Sequence, residues 1–290
     1  TSGKLYELKT LVDKNYKNED DFVEKTFNSI QITSNEGENV FENKFDIFLN
    51  DVRSKHDSIR YSALKSIHYL KLEEEDLPKM KMFLNTFKFK EDETEILGDL
   101  YEKLGQVKAE NTSEYLEKIY KKENANTVIQ FAILRALASQ KSKQAYLKIK
   151  ELLEFDVPVS DNEYEIANLF ELFEDDLENS QVLFPDIFQY YSIKEYHEPI
   201  VSFIHLLVQS NLGNSKKLKS YKKMILTHAK LEYKRLSSWK NKRNSTDKHE
   251  EEYYYDEDDY LPIYDFVSYA HILYPFKNEK EVQQLFEKGN

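Results

Sequence analysis

The chain has 290 residues with 41 Lys and Arg against 53 Asp and Glu, and its net charge of −12 argues against general nucleic-acid binding, which needs an excess of cations to neutralise phosphates. With 40% apolar and 14% aromatic residues there is enough Tyr, Phe, Leu and Ile for a substantial core despite 32% charge, which excludes a disordered chain. Six Gly and six Pro are too few for a sheet-rich or loop-rich fold, and the lack of Cys excludes disulfides, thiolate nucleophiles and cysteine zinc sites.

The opening Thr1-Ser2-Gly3 reads as the scar of a trimmed chain, compatible with a signal peptide, lipid anchor or domain upstream. Leu5, Leu8 and Val12 begin a helical stripe, and helices over about 4 to 15 and 20 to 31 are expected to cap the fold within residues 1–39. Further on, small residues recur inside apolar helices at Ala63, Gly98, Ala132, Ala167 and Ser202, with spacings of 35, 34, 35 and 35. Around the last four of these, Leu97, Phe131, Ile166 and Val201 precede the small residue, and Leu100, Leu134, Leu169 and Ile204 follow it by two. A small residue at a fixed helical position lets a neighbouring helix approach closely while large flanking residues fill the grooves. Partner helices are expected at 40 to 54, 77 to 87, 113 to 122, 143 to 154 and 180 to 191, giving five helical hairpins over 40–213. Asp76 with Pro78, Ser113 and Ser142 supply start signals, and Asn211-Leu212-Gly213-Asn214 a stop.

The expected fold is therefore all-α, an α–α superhelix of ~35-residue hairpins. Asp57-Ser58-Ile59-Arg60-x-x-Ala63 and Asn126-Thr127-Val128-x-x-x-Ala132 resemble the HEAT family, whose second helix often opens with an acidic residue, an aliphatic, an arginine and then alanine. The resemblance covers residues 40 to 211, and only the first unit carries the arginine. Tetratricopeptide repeats share nearly this period, but their tryptophan, Leu-Gly and terminal proline signature is missing. The Lys-, Asn- and Tyr-rich style also resembles Bacteroidetes proteins, and the chain is similar to the helical region downstream of TraB/GumN-type domains in long envelope proteins. That resemblance implies a binding or structural extension of an exported protein, with no catalytic residue carried over. The bacterial envelope or periplasm is thereby favoured slightly over the cytoplasm.

Beyond Gly213, in a C-terminal region of 214–290, residues 216 to 243 carry a net charge of +10 and residues 247 to 259 one of −7. A basic helix over 216–243 ending near Trp239 offers Lys222, Lys223, Lys234, Arg235 and Trp239 as an anion or nucleic-acid patch. The competing reading is a solvated helix face neutralised by the following acidic loop, because Leu218, Tyr221, Ile225 and Leu236 give the helix an ordinary buried stripe. Tyr253, Tyr254 and Tyr255 form a second, aromatic candidate patch, since three consecutive residues cannot all face one core. Helices over 261 to 274 and 279 to 288 are expected to close the array.

Residue patterns that carry chemistry are missing. The seven histidines, at 56, 68, 197, 205, 228, 249 and 271, never form His-Glu-x-x-His, and Asp256 to Asp259 lacks the glycine and spaced oxygens of a calcium loop. Gly98, Gly105 and Gly213 stand alone, with no phosphate loop, and no Gly-x-Ser-x-Gly turn is present. Ile200 to Val208, the longest mainly apolar run, falls well short of the ~20 residues that span a bilayer. The expected function is a non-enzymatic interaction or scaffold module, without cofactor or metal, that binds a protein partner or another domain of its own polypeptide. Anion or nucleic-acid binding through 216–243 is the alternative.

Overall fold

Apolar side chains at three- and four-residue spacing give each segment one face to bury, and the computed structural model folds these segments into helices. It describes residues 43–109, 111–123, 126–245 and 263–289, with Lys25, Asn28 and Ser29. Among them every regular element is helical, with no strand, and they divide into two compact units, one ending at Lys71 and one starting at Leu72. The expected helices at 4 to 15 and 20 to 31, the acidic stretch from residue 247 to 259 and Tyr253 to Tyr255 lie outside the described residues. No described helix is long and apolar enough to cross a membrane.

In the first unit, α1 (Phe45–Val52) packs against α2 (Asp57–Lys65). Phe45, Phe48, Leu49 and Val52 supply the buried stripe of α1, and Ala63 and Leu64 of α2 and Ile67 of the 3-10 turn that follows are buried as well.

The second unit opens with α3 (Leu77–Thr86) and α4 (Thr94–Gln106), followed by α5 (Thr112–Lys122) and α6 (Thr127–Ala138), then α7 (Lys143–Phe155) and α8 (Glu163–Glu174). The short α9 (Leu177–Ser180) and two 3-10 turns lead into α10 (Lys194–Gln209). Alternate helices pack in a row, α4 on α6, α6 on α8 and α8 on α10, while α5 packs on α7 along the other side. The centre is α6, which buries nine of its twelve residues and is apolar nearly all round, as a helix covered on several sides must be.

At the C-terminal end, α11 (Ser215–Leu218) and α12 (Lys222–Ser245) replace the single expected helix. The turn between them stacks Tyr221 on Phe188 with ring centroids 4.5 Å apart. α13 (Ile263–Leu273) packs on both α10 and α12, extending the row by one helix, and α14 (Lys280–Gly289) contacts α12.

Local chemistry sets the boundaries. Ser142 Oγ accepts from the backbone N–H of Ala145, and Asn126 and Asn162 cap α6 and α8 in the same manner. Ser113 does not cap α5: its hydroxyl donates to Gln140 Oε1 at 2.8 Å, and the helix starts one residue earlier. The expected helix over 180 to 191 is broken into α9 and two 3-10 turns, with Pro185, which has no N–H to give, between the turns. The stop after α10 falls on Asn211, which takes the left-handed conformation (φ 60°) while Leu212 and Gly213 both donate to the Leu207 carbonyl at 2.8 Å.

Candidate functional site

Two polar regions stand out around α10, α12 and α13. On α12, Lys223, Lys230 and Lys234 are exposed and recur at seven and four residues, so they share one face, while Ile225, Leu226 and Ala229 are buried. Lys222 instead forms an ion pair with Glu279 and lies over the Phe276 ring. Arg235 pairs with Glu232 at 2.7 Å, the arginine side chain 68% exposed and the carboxylate nearly buried. Trp239 is half-buried; at 100° per residue it lies about 160° around the axis from Lys223 and about 25 Å along it from Lys222. The helix thus brings Lys223, Lys230 and Lys234 together and turns Trp239 away from them.

The second region is a histidine and tyrosine network formed where α10 meets α13. Tyr191 and Tyr269, both buried, share a hydrogen bond of 2.7 Å between their hydroxyls, and the Tyr269 hydroxyl is also 2.8 Å from His197 Nε2. His228, from α12, sets its ring edge-on to Tyr191 and to His197, each centroid 5.0 Å away. Burial pushes the His228 imidazole below its ordinary value, and the Arg235 charge adds to that. Two turns further along α10, His205 Nε2 lies 2.6 Å from His271 Nδ1, and Ser268 Oγ lies 3.2 Å from His205 Nδ1. Burial and, after it, His271 lower the affinity of His205 for a proton. Among the described residues no group of three or more His, Cys, Asp or Glu is placed to hold a metal ion.

Linear sequence patterns pass over these histidines because their hydrogen-bond partners are 63 to 72 residues away. Only the packing of α13 on α10 makes them neighbours. A hint was available in the eight-residue spacing of His197 and His205, which puts both within one broad side of a helix.

A third arrangement ties the row of helices together. Arg135 on α6 reaches Glu102 on α4 through Nε at 2.7 Å and Glu165 on α8 through Nη1 at 2.5 Å. Tyr120 and Tyr196 donate to the Asp156 and Pro158 carbonyls at 2.5 and 2.8 Å, and Gln130 donates to the Asp156 carboxylate, so the loop after α7 is held from three helices. Its flanks carry exposed Phe155, Val159 and Tyr164, the last 78% exposed.

No family model, curated protein or solved structure matches the chain.

Proposed function

We propose that the hairpins between Leu77 and Gln209 are stacked units of a HEAT-like α–α superhelix, and that the protein is a non-enzymatic interaction or scaffold module binding a protein partner or another domain of its own polypeptide. The observation that carries this reading is the α4–α6 contact, where Gly98 meets Ala132 at the expected 34-residue period. The Arg135 bridge from Glu102 to Glu165 links the alternate helices α4, α6 and α8, which suits a rigid platform. Exposed Phe155 and Tyr164, with Val159 between them in the chain, give that platform aromatic anchors of the type enriched at protein interfaces. Affinity capture from the native host compares the wild-type chain with a Phe155→Ser, Val159→Ser, Tyr164→Ser variant. A partner held by the first and lost by the second is expected, and no specific partner, or equal capture by both, would overturn the reading.

A second reading rests on the exposed Lys223, Lys230 and Lys234 stripe, which suits an anionic ligand such as a single-stranded nucleic acid or polyphosphate. It expects affinity that falls steeply with salt and weakens when the three lysines become Ser. Binding that is undetectable or insensitive to salt would dismiss it.

A further inference from the structure

His205 and His271 come from different helices, yet their imidazoles meet nitrogen to nitrogen at 2.6 Å. At that distance both nitrogens cannot carry a proton, and two bare lone pairs would repel, so one proton lies between them. Ser268 Oγ beside the other nitrogen of His205 is placed to accept from Nδ1–H, which leaves the Nε2 lone pair aimed at His271.

We propose that His205 and His271 form a two-histidine site for a divalent transition ion of the Zn2+ class, which replaces the shared proton and clamps α13 to α10. Binding needs both imidazoles neutral. His205 keeps its proton on Nδ1 toward Ser268, and His271 moves its own from Nδ1 to Nε2, so no proton is lost overall. The hydrogen bond to Ser268 is the outer-shell contact that ordinarily fixes a ligand histidine's tautomer and ring orientation.

Tetrahedral coordination at the usual Zn–N length places two ligand nitrogens about 3.3 Å apart, so the pair must open by roughly 0.7 Å. His271 is exposed and can swing by that amount without disturbing the core. The same exposure leaves the remaining coordination positions to water. Two neutral nitrogen ligands without a carboxylate select borderline ions such as Zn2+, Ni2+ and Cu2+ over Ca2+ and Mg2+, which demand oxygen.

The test is titration of the chelator-treated full chain with Zn2+ by calorimetry, together with the unfolding temperature with and without the ion. One Zn2+ per chain and a raised unfolding temperature are expected in the wild type. His271→Gln and His205→Gln should each weaken binding by more than about tenfold, and Ser268→Ala by up to about tenfold. His56→Gln, in the first unit, should bind as the wild type does. With Cu2+ as probe, electron paramagnetic resonance should show two equatorial nitrogens, both lost in the double variant. Because His271 is exposed, its variant is expected to fold, which circular dichroism without metal checks. Absence of saturable binding, or binding by His271→Gln equal to the wild type, would overturn the proposal.

Discussion

A methyl group built on Gly105 would stand 2.5 Å from the Cβ of Ala136 and 2.5 Å from its carbonyl oxygen. Helices α4 and α6 therefore meet backbone to backbone at this point. Seven residues earlier on α4, Gly98 makes a looser approach, with the corresponding methyl 3.1 Å from Ala132 Cβ. The two contacts are two turns apart on one face, and together they set the distance between the helices.

Gly105→Ala should destabilise the protein even though alanine favours a helix by about 1 kcal/mol over glycine. Overpacking against backbone costs about 1–3 kcal/mol, and here no flexible side-chain end is available to move aside. A net loss of about 1–2 kcal/mol is expected in urea unfolding, toward the upper end of that balance, with Gly98→Ala within about 1 kcal/mol of the wild type. A Gly105→Ala variant as stable as the parent would show that α4 can shift away from α6 at little cost.

The periodic small residues were legible because close helix packing restricts side-chain size at particular positions, and Gly98 against Ala132 is the contact that the spacing implied. The last member was less informative: Ser202 is exposed on α10, where its hydroxyl lies toward the half-buried Glu174 carboxylate on α8 and favours its charged form. Serine there serves a polar contact at the edge of an interface, and a small polar residue reads the same in either role. Arg135 and the histidines escaped because ion pairs and imidazole contacts depend on which faces meet, and charge is too abundant in this chain for any one pair to stand out. Lys222 and Arg235 looked like members of one patch, yet each finds a carboxylate that only the folded chain brings near or orients.

Arg135→Gln should cost about 1–3 kcal/mol, between the values for exposed and fully buried ion pairs, because its partners are only partly covered. Removing the guanidinium leaves Glu102 and Glu165 facing each other across α6. Burial already pushes the Glu102 carboxyl above its ordinary range in spite of the arginine beside it. Adding Glu102→Gln to Arg135→Gln should therefore restore part of the loss in thermal unfolding. No recovery would mean that the arginine acts through packing of its stem and not through charge.

Lys141, just beyond α6, has φ 47°, the left-handed region where a side chain costs about 1–2 kcal/mol. Its carbonyl accepts from Asn179 Nδ2, which holds the turn in place. Lys141→Gly should raise stability by about 0.5–1 kcal/mol after the extra freedom of glycine in the unfolded chain is subtracted. Asn211→Gly should change little, since asparagine tolerates this region. A loss of unfolding temperature in Lys141→Gly would refute the strain assigned to that turn.

His228 should make the second unit acid-sensitive. It faces His197 from α10, Tyr191 from the preceding turn and Tyr269 from α13, with Arg235 on its own helix. Burial first, and then Arg235, hold its folded-state pKa below the ordinary 6.5, so the unfolded chain takes up the proton more readily. Stability therefore rises with pH across that interval: the contribution is intact above 6.5 and is lost as pH falls from there through the folded-state value. Glu102 and Glu174, raised by burial, act in the opposite sense at lower pH, which confines a clean measurement to values above about 5.5. Between pH 7.5 and that limit, with chelator present, the wild-type unfolding temperature should fall more than that of His228→Phe, which keeps the aromatic edge contacts and cannot be protonated. Equal slopes in the two proteins would assign the acid sensitivity to other groups.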